Sequence, residues 1–164
     1  MKSQIANGKV IFFLGVFLLS SKVLFAVQPL APEAGKSAPY FKLENLAGGQ
    51  TSLSDFRVRP VMLFFWATWC PYCRDKFPDL GKEYAEMKKS GIELLAIDIG
   101  EPKERVEKFL SNKNAEFPVL LDSDSRVAYA YSLIGVPTFI LIDSRGKIRF
   151  QGNNFPGNYK QILK

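Results

Sequence analysis

The sequence has no histidine and only two cysteines among its 164 residues. Without an imidazole to move a proton, neither a Ser-His-Asp nor a Cys-His catalytic group can be assembled. A structural zinc site needs four Cys or His ligands, and two thiols with a few Met nearby leave no third soft ligand. No metal and no cofactor is therefore expected. Low-complexity tracts and internal repeats are also missing, which excludes solenoids and fibres. Acidic residues are absent from the first 26 positions, which hold Lys2, Lys9 and Lys22. The formal charge of +6 falls to +3 for the 138 residues that follow, 19 basic against 16 acidic. A nucleic-acid partner is not expected from that balance. What is present is a chain of one-domain length, 47% hydrophobic and 13% aromatic, which can bury a core and is not a disordered composition.

One long apolar run exists, and it lies near the N-terminus. Lys2 and Lys9 precede Val10–Leu19, an unbroken hydrophobic stretch, and Ser20, Ser21, Lys22 and the small residues Ala26 and Ala31 follow it. This order reads as an export signal; a core helix would show a polar face, and this run has none. The run is shorter than the ~20 residues of a membrane span and Lys22 interrupts it, which favours cleavage over anchoring. Two features pull the other way: residues 10–27 span if Lys22 snorkels, and Leu24 is an imperfect residue three positions before a cut at Ala26. In either case the lysines place Val27 onward outside the cytoplasm, in the periplasm or on the extracytoplasmic face of the membrane. Residues 1–26 are thus read as signal peptide or N-terminal membrane anchor, 27–38 as a flexible lead-in rich in Pro, Ala and Gly, and 39–164 as the folded domain.

Within that domain, strand and helix patterns alternate. Residues 40–45 and 51–53 flank the turn cluster Ala47-Gly48-Gly49-Gln50 and predict a small hairpin. Val61–Trp66 is continuously apolar, the pattern of a strand covered on both faces. Phe77, Leu80, Tyr84 and Met87 repeat at helical spacing over 71–89, with Pro78 inside, where a kink is predicted. Residues 92–99 predict a strand, 101–113 a helix with Val106, Phe109 and Leu110 inward, and 118–121 a short strand. Asp122-Ser123-Asp124 predicts a cap for a helix reaching Tyr131. Residues 138–143 and 147–150 form a final hairpin about Ser144-Arg145-Gly146, and 158–163 a last short helix. Strands alternating with helices and ending in an antiparallel pair predict an α/β fold with a mixed sheet.

The two cysteines are three residues apart, at Cys70 and Cys73, where a buried strand gives way to a helix. Unpaired backbone N–H groups and the helix dipole favour negative charge there. A thiolate at Cys70 is therefore a nucleophile at neutral pH, and Cys73 is placed to close a ring and expel whatever Cys70 has bound. Pro71 fits the first helical turn, where its missing donor costs nothing. The competing reading is a structural disulfide, but so short a loop removes little unfolded-chain entropy and makes a weak staple.

The segment Phe65-Trp66-Ala67-Thr68-Trp69-Cys70-Pro71-Tyr72-Cys73, with Pro78 five residues on, resembles the active-site region of thioredoxins. Among them it most resembles the exported TlpA-like group, which includes ResA-type and cytochrome c maturation proteins. Ile134-Gly135-Val136-Pro137-Thr138-Phe139 resembles the loop where that family places a cis-proline beside the CxxC. The resemblance covers roughly residues 39–152 and implies a thioredoxin-like fold with an N-terminal hairpin and a central helix–strand insertion. It implies a cis bond before Pro137 and a backbone at Val136 that pairs with an extended substrate. Trp69, Pro71 and Tyr72 join these as active-site support and docking residues. The implied activity is extracytoplasmic thiol–disulfide exchange, reducing disulfides of exported proteins such as apocytochrome c, with a membrane thiol reductase as electron donor.

The sequence also departs from the family. Thioredoxins carry a buried aspartate six residues before the first cysteine, where Phe64 stands; ResA-like proteins carry a glutamate three residues after the second, where Lys76 stands beside Asp75. Asp75, Glu101 and water are the open choices for the Cys73 proton. The Pro-Tyr dipeptide also resembles glutaredoxins, over those four residues alone. Three other functions stay open: a disulfide oxidant or isomerase of the same fold, a peroxiredoxin-like peroxidase with antioxidant activity, and a non-catalytic thioredoxin-like binding module. Phe64, Phe65 and Trp66 are read as core, and Trp69 as a surface residue.

Overall fold

Alternate residues of one apolar strand face two different hydrophobic layers, and the rest of the fold is arranged around that strand. The computed structural model describes residues 34–113 and 115–164; the predicted leader, and the lead-in as far as residue 33, lie outside the described residues. Among these the strands are β1 (Lys42–Asn45), β2 (Gln50–Ser52), β3 (Val61–Trp66), β4 (Glu93–Ile99), β5 (Val119–Asp122), β6 (Thr138–Ile142) and β7 (Ile148–Gly152). The helices are α1 (Pro71–Lys89), α2 (Lys103–Leu110), α3 (Arg126–Ala130) and α4 (Tyr159–Ile162). The strands form one mixed sheet in the order β2-β1-β5-β4-β3-β6-β7. β4 runs parallel to β3 and to β5, and the remaining neighbours are antiparallel. This is the thioredoxin-like α/β architecture, with the N-terminal hairpin added beside β5.

Every side chain of β3 is buried. Met62, Phe64 and Trp66 face one layer with Leu94 and Ala96 of β4 and with Phe77, Leu80, Tyr84 and Met87 of α1. Val61, Leu63 and Phe65 face the other, with Leu95, Ile97, Ile140, Val127 and Tyr131. Burying a large apolar side chain contributes about 1.5–3 kcal/mol, so six such side chains anchor the strand on both faces. Its carboxyl end is a firm base for the Cys70 turn.

Helix ends differ slightly from the sequence pattern. α2 stops at Leu110 rather than Lys113, with the Ser111 hydroxyl donating to the Lys108 carbonyl. α3 begins only at Arg126, after Ser125 in a left-handed conformation. α1 runs unbroken through Pro78. Residues before the first strand are already tied down: the Gly35 amide donates to the Ile148 carbonyl at 2.7 Å and the Ala38 amide to that of Gly146 at 2.9 Å. Among the described residues no helix is long and apolar enough to cross a membrane.

Candidate active site

β3 delivers the chain to Cys70, which is the N-cap of α1 with an extended backbone. Pro71 takes the first helical position, where no intrahelical donor is needed. Cys70 and Cys73 are joined as a disulfide, their Cα atoms 5.3 Å apart. Cys70 Sγ also accepts from the Cys73 amide at 3.1 Å, one of the orphan donors of the helix start. Behind the sulfurs Trp66 packs edge-on against Phe77 with ring centroids 4.5 Å apart, and Phe64 stacks on Phe139 at 4.8 Å. Phe64, Phe65 and Trp66 are core residues. Outside, Trp69 and Tyr72 flank the disulfide and stand 64% and 75% exposed.

A second loop, just before β6, carries the predicted cis-proline. The Val136–Pro137 peptide is cis. The Thr138 hydroxyl donates to the Gly135 carbonyl at 2.7 Å, and the Asn153 side-chain amide donates to the Pro137 carbonyl at 2.8 Å. These two bonds hold the bend. Val136 packs against both hydrophobic layers, which ties the loop to the same sheet that carries Cys70.

The acids are arranged in a way the sequence pattern does not suggest. Position 64 is filled by an aromatic ring, and Asp75 is exposed on α1. Glu101 is only 2% exposed, and it accepts from the Thr68 amide with Oε2 and from the Thr68 hydroxyl with Oε1 at 2.7 Å. It thereby fixes the turn Ala67–Cys70, in which the Cys70 amide donates to the Ala67 carbonyl at 3.2 Å. Arg105 of α2 lies 3.6 Å from Glu101 Oε1. Beside Glu101 is Asp98, the register partner of Trp66, with no exposed surface. Burial, then the Glu101 carboxyl, push Asp98 up to about 8.

Of the residues singled out from the sequence, Trp69, Cys70, Pro71, Tyr72 and Cys73 lie together at the start of α1, and Glu101 reaches them through Thr68. Val136 and Pro137 form the separate bend before β6. Asp98 was not singled out, and Thr68 entered only as part of the segment that carries the resemblance, not as a partner of Glu101. A signal for Asp98 existed: it is the single charged residue in the run Leu94–Ile99. For Thr68 there was none, because its role depends on a residue 33 positions away.

Comparison with known proteins agrees with this geometry. The model of the AhpC/TSA family matches residues 34–151. The chain is 39% identical over 125 residues to the thiol-disulfide oxidoreductase ResA of Geobacillus kaustophilus, covering 76% of this chain and 72% of that one. It is 40% identical over 114 residues to ResA of Bacillus subtilis, covering 70% and 64%. A crystal structure of a putative thiol:disulfide interchange protein DsbE from Chlorobium tepidum superposes with a TM-score of 0.72 at 34% identity, covering 81% of this chain and 94% of that one. With its Cys70–Cys73 disulfide at the start of a helix on a thioredoxin-like sheet, the chain belongs to the AhpC/TSA family as a ResA-like thiol–disulfide oxidoreductase.

Proposed function

We propose that the protein works outside the cytoplasm as a reductant of disulfides in exported proteins, apocytochrome c being the substrate class that the family resemblance implies. The Cys70 thiolate attacks one sulfur of the substrate disulfide, and the substrate's other sulfur leaves as a thiolate that takes a proton from solvent. Cys73 then loses its proton and attacks Cys70 Sγ. The second substrate thiol departs, and the Cys70–Cys73 disulfide re-forms. Two electrons have passed to the substrate, and a membrane thiol reductase returns them to the site. Trp69 and Tyr72 supply an exposed aromatic surface for docking, and an extended substrate segment pairs with the backbone at Val136 beside Pro137.

The observation that carries the direction is the Glu101 carboxylate on Thr68, two residues ahead of Cys70. A carboxyl group held there, with Arg105 beside it, weighs against the thiolate that the helix start favours, and a less stabilised thiolate supports a dithiol that gives up electrons more readily. A peroxidase reading draws no support from Thr68, which stands two residues before Cys70 rather than the three of the peroxiredoxin motif, and its hydroxyl is committed to Glu101. The test is the equilibrium reduction potential of the Cys70–Cys73 pair in a thiol redox buffer, read by tryptophan fluorescence. A value near thioredoxin's, about −270 mV, is expected; a value near DsbA's, about −120 mV, would make the protein a disulfide donor and end the reductant reading.

A further inference from the structure

Asp98 is the least explained polar group near the disulfide. It ends an apolar strand with no exposed surface, and among the described residues no donor reaches either of its carboxyl oxygens. Beside it lies the carboxyl of Glu101. Two carboxylates are both acceptors, so the contact becomes a hydrogen bond only when one of them carries a proton. Glu101 already accepts on both oxygens, from the amide and the hydroxyl of Thr68. The shared proton therefore belongs on Asp98. The other charged groups acting on Asp98 are Asp122 of β5, which repels its ionised form, and Arg105 of α2, which favours it. On the α1 side, Cys70 and Cys73 belong to the same buried layer as Trp66, the register partner of Asp98.

Resting on the oxidoreductase reading, we infer that Asp98 is a positioning residue that takes up one proton when the Cys70–Cys73 disulfide is reduced and gives it up when the disulfide re-forms, acting on the site through Glu101 and Thr68. Opening the disulfide puts negative charge on Cys70, and a second negative charge on the acid pair is then disfavoured. The step balances with a dithiol reductant. Its two electrons cleave the Cys70–Cys73 bond and it becomes a disulfide; of its two protons, one goes to Cys73 sulfur and one to the Asp98 carboxylate. Cys70 is left as a thiolate. The uptake occurs above the Asp98 value of about 8 in the oxidised protein, because below it the proton is already in place.

Asp98→Asn separates this role from simple packing, since its amide still donates to Glu101 but does not titrate. The equilibrium constant of the full chain with dithiothreitol is measured from about pH 6 to about pH 10. Above about pH 8 the wild-type profile departs from that of Asp98→Asn by up to about tenfold per pH unit, one proton's worth. A second readout needs no redox turnover: fluorescence of Trp66, opposite Asp98 in the sheet, in oxidised Trp69→Phe protein. It titrates near pH 8 in that background and becomes flat when Asp98→Asn is added. Glu101→Gln, which removes the neighbouring charge, moves the midpoint to lower pH and covers the case in which the asparagine variant does not fold. Parallel exchange profiles overturn the proposal whether or not Trp66 titrates, as does a midpoint unmoved in Glu101→Gln. Failure of the wild-type chain to exchange with dithiothreitol at any pH overturns the oxidoreductase reading instead.

Discussion

Asp98 and Asp122 end neighbouring parallel strands one residue out of step, Asp98 pairing with Leu121 and Ile99 with Asp122. Both are buried, and burial is the leading cause that raises each above its ordinary carboxylate range. They differ in what faces them. The Val127 amide donates to Asp122 Oδ1 at 3.1 Å and the Ala128 amide to Oδ2 at 2.8 Å, so its carboxylate caps the first turn of α3. Asp98 receives no such donor and meets another carboxyl. The same residue type at the same depth is architecture where backbone N–H groups are supplied and chemistry where they are withheld.

The comparison breaks or sharpens under substitution. The largest effect belongs to the chemical end of the molecule: Cys70→Ser abolishes turnover of a model protein disulfide, while its far-UV circular dichroism and melting temperature match those of the reduced wild type. Surviving turnover would move the nucleophile elsewhere. Next comes Asp122→Ala, which orphans two amides and lowers stability by about 2–4 kcal/mol in urea unfolding, with the exchange rate per folded molecule kept. A loss of rate without a loss of stability would erase the distinction between the two aspartates. Asp98→Asn acts with the opposite sign. A carboxyl at about 8 folded and 3.8 unfolded holds its proton more tightly in the folded state. Wild-type stability therefore falls as pH rises between those values and levels beyond, by at most about 1.4 kcal/mol per unit. The asparagine variant lacks this slope and gains on the wild type progressively as pH rises towards about 8, read by thermal unfolding across pH. A parallel pair of stability curves would show that Asp98 does not titrate in that range. The smallest effect is at the surface: Trp69→Ala changes stability by less than about 0.5 kcal/mol. It raises KM for a folded protein disulfide by about three- to tenfold and leaves a small dithiol substrate unaffected.

The strands and helices were legible because their apolar spacing is strong, as in Val61–Trp66 and the Phe77-Leu80-Tyr84-Met87 stripe. Helix ends were not, because Ser125 leaves the helical region for a left-handed turn that no residue type announced. The dithiol was legible from spacing and position alone. The cis bond at Pro137 was not, since most X-Pro bonds are trans, and only resemblance to a family suggested it. Glu101 was one of several candidates until its two hydrogen bonds to Thr68 set it apart from Asp75, which is exposed. Asp98 escaped because an acid at the end of an apolar strand reads as the strand's exit. Only the register that sets it opposite Trp66, and the return of Glu101 beside it, makes it part of the site.

The early hydrogen bonds of Gly35 and Ala38 fix where the described chain enters the domain. They join the chain to the β6–β7 turn. Because β6 runs against β3, with Ile142 beside Val61 and Thr138 beside Phe65, that turn lies at the opposite end of the sheet from Cys70. A six-residue strand spans about 20 Å, so the disulfide stands roughly that far from the point of attachment. Anything that tethers the chain through its N-terminal segment grips a handle at one pole and presents the reactive sulfurs at the other.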